Sequence, residues 1–256
     1  MIDDVLQRVP VFLTVVFRMA GIMAMAPVFS SPRTPRRVKA LVVIVSAMGI
    51  AGGLPAVDLP DSTWALAVGI GGEIAFGIAM GMLVSFAFVA AQWAGEMIGV
   101  EMGLNMSEVF DPSMGGQGSI VGDLFYFMAL AVFLSVNGHQ HMLEAARESF
   151  RHLPPMSLGI DADLVGTLVG LLQSAMVMAL RLAAPVLITV VVVDLTLGLV
   201  GRAMPQFNVM QAGLSVRAIV GAAIVIVGLN ITGKVIEGAV VESLWRLRMH
   251  YVNGPA

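Results

Sequence analysis

The sequence predicts an all-α, polytopic membrane protein, and three observations carry that prediction: composition, the length of the apolar runs, and the charges set inside them. Of the 256 residues, 58% are hydrophobic and 12% charged, with a mean hydropathy of +0.90, whereas soluble domains carry about 25% charged residues. There is room for about six spans of ~20 residues and no sizeable soluble domain, so 1–256 reads as one domain with nothing enzymatic appended. Ionisable residues interrupt the runs near their middles at Arg18, Glu73, Asp123, Arg181, Asp194 and Arg217. A charge at the centre of a lipid-facing helix costs about 2.5 to 3.5 kcal/mol, and six would cost on the order of 18 kcal/mol. Each is therefore expected to face protein or water and to serve assembly or function.

The first run spans Val9 to Phe29 around Arg18 and is stopped by the prolines of Ser30-Ser31-Pro32-Arg33-Thr34-Pro35. Met1-Ile2-Asp3-Asp4 lacks the basic start and cleavage site of a secretory signal, so this run is expected to be retained. Ala40 to Val57 is a charge-free second run closed by Gly52-Gly53-Leu54-Pro55 and an acidic loop with Asp58 and Asp61. Trp64 to Ala91 is the third, with Glu73 inside it. A glycine-rich stretch from Trp93 to Ser119 leads to a fourth run, Ser119 to Val136, containing Asp123. His139 to Arg151 is a polar amphipathic piece capped by Pro154-Pro155. Leu164 to Val200 is too long for one simple crossing, and Pro185 beside Arg181 suggests a kinked or re-entrant pair. Ala218 to Gly233 is a short last run before a basic, aromatic tail, Trp245-Arg246-Leu247-Arg248.

Charge placement gives topology only at the start. Arg33, Arg36, Arg37 and Lys39 put the first loop in the cytoplasm, and the acidic loop fits the opposite side. Alternation then puts Trp93 to Ser119 in the cytoplasm, although it holds Glu96, Glu101, Glu108 and Asp111 and no basic residue. Either a span is miscounted or these helices do not cross a bilayer in simple alternation. The net charge of −3 argues against a nucleic-acid partner. The absence of cysteine excludes disulfides and thiolate metal sites.

Small residues recur every fourth position at Ala87, Ala91, Gly95, Gly99 and Gly103, and Gly77, Gly81 and Ser85 mark a neighbouring stripe. That spacing places each set on one slowly drifting helix face, where missing side chains let backbones approach. The stripe fits packing within the chain or against other subunits; two stripes exceed the obvious need of one chain, which favours a subunit contact. Among 19 methionines, Met97, Met102, Met106 and Met114 flank or occupy the glycine-rich loop, where a flexible thioether fills gaps of changing shape. Catalytic patterns are sparse. His139-Gln140-His141 has no third ligand, Glu96 and Glu101 do not share one helical face, and Gly115-Gly116-Gln117-Gly118 lacks the Lys-Ser/Thr ending of a phosphate loop.

A set of short motifs occurs in order along the chain: Phe17-Arg18-Met19-Ala20-Gly21, Ala26-Pro27-Val28-Phe29, then Pro35, Arg37 and Val38. Gly95-Glu96, Gly103-Leu104, Phe110-Asp111-Pro112, Asn137-Gly138-His139 and Ser149-Phe150 with Pro154 follow. The last are Ala184-Pro185, Gly198-Leu199 and the signature Arg202-Ala203-Met204-Pro205-Gln206-Phe207-Asn208-Val209. From about Phe12 to Ala223 the chain resembles the FliR/SctT family of type III secretion export-apparatus proteins, and the signature stretch looks flagellar. The resemblance implies a non-enzymatic subunit of a helical export gate, without a cofactor, in the bacterial inner membrane at the flagellar basal body. It implies one copy assembled with FliP-type and FliQ-type subunits, associated with FlhB-type and FlhA-type proteins, through which unfolded flagellar subunits pass. It also makes Met106 to Ser119 the candidate pore plug, with Met106, Phe110 and Met114 filling apolar space and Gly115, Gly116 and Gly118 letting it swing aside. The competing reading is a proton- or ion-coupled small-molecule transporter with a relay built from Glu73, Asp123 and Asp194 beside Arg18, Arg181 or Arg217.

Overall fold

An apolar chain in a bilayer has no water to bond its peptide groups, and this one satisfies them inside helices. The computed structural model describes residues 2–30, 34–55, 62–104, 119–156, 162–204, 206 and 208–252. Among the described residues there are eight helices and no strand: α1 (Ile2–Met25), α2 (Pro27–Ser30), α3 (Arg36–Ala51), α4 (Thr63–Glu101), α5 (Ile120–Ser135), α6 (Gly138–His152), α7 (Ala162–Ala203) and α8 (Val209–Val252). The all-α, polytopic class follows directly.

Among the described residues four helical stretches are long and apolar enough to span a membrane, Arg8–Met25, Thr63–Glu101, Val165–Ala203 and Met210–Leu247, and α5 with α6, bent by 66°, brings the number to five when the pair is counted as one broken span. The sequence suggested about six. The difference lies in the second run, whose helix α3 ends at Ala51 before the Gly52-Gly53 pair; its 16 residues rise only about 24 Å, short of a hydrocarbon core of ~30 Å.

Three expected breaks are absent. The glycine-rich stretch after Trp93 begins as helix, because α4 continues to Glu101 and carries Gly95 and Gly99 in its interior. Leu164 to Val200 is not a re-entrant pair: α7 is one helix of 42 residues with Pro185, the residue expected to kink it, inside. The short last run belongs to the 44-residue α8, which also takes in Trp245 and Arg246. Lys234, Glu237 and Glu242 end a hydropathy window there, but a charged side chain costs a helix backbone nothing comparable to proline.

The residues divide into two compact units, one formed by 1–86, 133–172 and 241–256, the other by 87–132 and 173–240. In the first, α1 meets the early part of α4 backbone to backbone. A Cβ on Gly77 would strike the Arg18 carbonyl oxygen, one on Gly21 the Ile74 carbonyl oxygen, and one on Gly81 would lie 2.7 Å from the Ile22 carbonyl oxygen. Val15, Met19 and Ile22 of α1 and Phe76, Met80 and Leu83 of α4 form the surrounding core. The amphipathic α6 buries Met142, Ala145, Ala146 and Phe150 and leaves Arg147 and Arg151 exposed. It is entered through Asn137, whose φ of 55° is left-handed, a conformation that asparagine tolerates better than most residues. Gly138 follows it tightly against the Phe133 ring.

In the second unit Ala87, Ala91, Gly95 and Gly99 are buried. A Cβ on Gly95 would collide with the Val121 carbonyl oxygen and lie 2.6 Å from the Gly122 Cα, so α5 meets α4 backbone to backbone at that glycine. Gly103 does a different job. Its φ is 73°, and the bonds Leu104 N to Gly99 O (3.0 Å) and Gly103 N to Val100 O (2.9 Å) form the paired closure that ends a helix on a left-handed glycine.

Candidate functional site

The most elaborate polar arrangement among the described residues lies inside the first unit. Arg18 sits one turn before Gly21 on α1, and Glu73 one turn before Gly77 on α4, so the close backbone crossing brings the two charges together. Arg18 Nε donates to Glu73 Oε2 at 2.6 Å and Nη2 to Oε1 at 3.1 Å, with both side chains 1% exposed. Its remaining donors are taken by Ser149 Oγ of α6 at 3.0 Å and the Leu153 carbonyl at 3.2 Å. The guanidinium carbon lies 4.8 Å from the Phe76 ring centroid and 3.9 Å from that of Phe150, within range of cation–π attraction. Glu73 Oε1 also accepts the Met156 amide at 2.8 Å.

A bidentate pair with its spare donors and acceptors filled is the geometry in which a buried charge is tolerated. It ties α1, α4, α6 and the turn after α6 together. Met156 holds a φ of 65°, strained for a residue with a side chain; its bond to Glu73 supplies part of what keeps it there. Sequence reasoning flagged both charges but missed Ser149, Phe76 and Phe150 as their surroundings. Ser149-Phe150 stood among the family motifs, which was the signal that could have found them.

The other embedded charges behave differently. Asp194 of α7 and Arg217 of α8 pair at 2.6 Å while 36% and 38% exposed. Asp123 is half-buried and Arg181 exposed, and among the described residues neither forms an ion pair. Arg18–Glu73 and Asp194–Arg217 join residues that the transporter reading also set side by side, so burial and not pairing is what distinguishes the two pairs.

The loop favoured as a plug, with Met106, Phe110, Met114, Gly115, Gly116 and Gly118, lies outside the described residues, as does Pro205. Its two ends are described. Leu104 leaves α4 through the Gly103 closure. Ser119 caps α5, its Oγ accepting the Gly122 amide at 3.3 Å while donating to the Gly95 carbonyl at 3.3 Å. In the signature stretch Arg202, Gln206 and Asn208 are exposed. Asn208 Oδ1 accepts the Gln211 amide at 3.2 Å and its carbonyl the Ala212 amide at 3.1 Å, the bonding of an N-cap.

His141 Nδ1 lies 3.8 Å from Glu144 Oε2, and no group of three potential metal ligands comes together among the described residues. Glu96, bonded by Gln92 Nε2 at 3.0 Å, and Glu101 instead line an open groove of about 770 Å³ between the end of α4 and residues 176–187 of α7.

Comparison with known proteins gives the family. A family model described as "Bacterial export proteins, family 1" matches residues 9–243. The chain is 32% identical over 207 residues to the flagellar biosynthetic protein FliR of Escherichia coli (strain K12), covering 80% of this chain and 78% of that one. It is 27% identical over 242 residues to FliR of Bacillus subtilis (strain 168), covering 92% of each. FliR of Pectobacterium carotovorum subsp. carotovorum is 28% identical over 222 residues, 85% of this chain and 84% of that one. Because the match runs from Val9 to Ser243, through both units and both embedded ion pairs, the chain belongs to the FliR family of bacterial export proteins.

Proposed function

We propose that this chain is a non-enzymatic subunit of the flagellar type III protein export gate, in the bacterial inner membrane at the basal body. On this reading it joins FliP-type and FliQ-type subunits as one copy among several, contacts FlhB-type and FlhA-type proteins, and helps form and close the pore for unfolded flagellar subunits. The observation that carries it is similarity to flagellar FliR proteins over most of the chain's length, spanning both units. Two structural features support it. Most of the apolar stretch of α8 is left uncovered by the chain, with Ile219, Ile226, Val227 and Ile231 exposed, leaving apolar surface for neighbours, and the innermost charges are satisfied internally, as a scaffold requires. The plug role of Met106 to Ser119 rests on the resemblance and on composition, since it joins bulky apolar side chains to glycines and has no basic residue.

Deleting the gene should abolish motility and flagellin export, and restoring it should recover both. The mass of the intact complex purified through this chain should correspond to one copy among several partner subunits. Normal export in the deletion strain, or recovery only as a homo-oligomer, overturns the reading. For the plug, Phe110→Ala should let small ions leak through the resting membrane while export continues in part. Single cysteines placed by Ser107→Cys and Ser113→Cys should crosslink to a stalled substrate without background, because the chain has no cysteine. No leak and no crosslink from a channel known to be occupied would reduce the loop to a connector.

A further inference from the structure

The groove in the second unit sets two carboxylates among walls that are otherwise apolar. On one side the last two turns of α4 present Trp93, Met97 and Val100; on the other α7 presents Met176 and Leu180. Val100 is 60% and Leu180 56% exposed, and both belong to stretches apolar and long enough to span a membrane. Two carboxylates, Glu96 and Glu101, stand in the same lining. Glu96 has one donor, Gln92. Among the described residues Glu101 has no side-chain partner, and Arg181, one residue beyond Leu180, is exposed and makes no ion pair.

An acyl chain would satisfy the apolar walls and leave the carboxylates facing hydrocarbon, the costly arrangement for a charge at membrane depth. Water would satisfy the carboxylates and leave the apolar walls wet. A helix that is apolar along the groove and carries a basic side chain level with Glu101 satisfies both. We propose that this groove receives such a helix from a neighbouring, different subunit of the membrane complex, and that Glu101 pairs with its Lys or Arg. The inference rests on the export-gate reading given above and adds to it the surface and the chemistry of the partner. Glu101 is the last residue of α4, at the negative end of the helix, so reversing its charge favours that helix rather than breaking it.

The test uses the full chain in membranes of cells that make the whole export apparatus, and in cells that make this chain alone. Single cysteines from Val100→Cys and Leu180→Cys are labelled with a photoreactive maleimide, and adducts are identified by mass spectrometry. Expected at both positions, only when the apparatus is present, is an adduct with a membrane helix of a different subunit that bears Lys or Arg within one turn of the attachment point. Glu101→Lys should lower that adduct at least tenfold, and reversing the partner's basic residue to Glu should restore it. Should the charge reversal prevent accumulation, Glu101→Gln is expected to lower the adduct several-fold at normal protein level. Adducts with phospholipid alone, with a second copy of this chain, or at unchanged yield in both variants overturn the inference. Copurification of the unmodified chain with the apparatus is scored separately. If it fails, the export-gate reading fails; if it succeeds without a groove adduct, only the groove assignment fails.

Discussion

Removing one member of the Arg18–Glu73 pair should do at least as much harm as removing both. Glu73→Leu leaves a guanidinium that is 1% exposed facing apolar side chains, and Arg18→Met leaves the carboxylate in the same position; each single change is expected to cost about 3 to 5 kcal/mol. In Arg18→Met/Glu73→Leu no charge remains buried. What is lost there is the set of bonds from the pair to its surroundings, at Ser149, Leu153 and Met156, at about 1 kcal/mol each, or roughly 3 kcal/mol. A methionine beside Phe76 and Phe150 recovers part of the ring contact. The singles taken as independent would add to roughly 6 to 10 kcal/mol, so the cycle should return a coupling of about 3 to 7 kcal/mol. Pulse proteolysis of the tagged protein in native membranes, titrated with SDS, reads the unfolded population of all four forms. Singles that each cost under about 1 kcal/mol, or a double variant as damaged as the sum, would refute the claim that the pair is buried and mutually dependent.

Asp194→Asn, in the half-exposed pair, should cost less in the same assay than either single change at Arg18 or Glu73, and Asp194→Arg with Arg217→Asp should behave like the parent. Gly77→Ala drives a methyl group into the Arg18 carbonyl and should destabilise by about 1 to 3 kcal/mol. Gly228→Ala meets nothing within 4 Å and should stabilise α8 by about 0.5 to 1 kcal/mol; equal effects from these two glycines would contradict the crossing. Asn208→Ala should cost about 1 kcal/mol and speed hydrogen exchange at the Gln211 amide, and an unchanged exchange rate would remove the cap assignment.

Helix identity was readable from the chain, and so were several boundaries. The run Ser119 to Val136 became Ile120–Ser135, and the amphipathic piece His139 to Arg151 became Gly138–His152, because turn residues and a change of period mark both. The long helices were not readable as units. Glycines at 95 and 99, Pro185 and the charges after Gly233 look like interruptions in the apolar pattern, yet the helices run on through all of them. The embedded charges could be named from sequence, but their pairing could not. Arg18 and Glu73 are 55 residues apart, and only the crossing at Gly21 and Gly77 makes them neighbours. Gly103 shared its spacing with the buried stripe, and only its left-handed φ separates a helix stop from a packing position.

The separation of Arg18 from its partners also sets a timetable for synthesis. Glu73 is polymerised 55 residues after Arg18, and Ser149 131 residues after it. At translation rates of about 5 to 20 residues per second, the first helix waits roughly 3 to 11 s for its counter-ion and roughly 7 to 26 s for the serine. Through that interval α1 carries an unanswered cation in an apolar stretch. It cannot settle in hydrocarbon as a finished element, and the nascent chain must keep Arg18 near headgroups, water or the insertion machinery until α4 emerges. Release of the N-terminal helix before α4 emerges would therefore leave Arg18 without the partner that its burial requires.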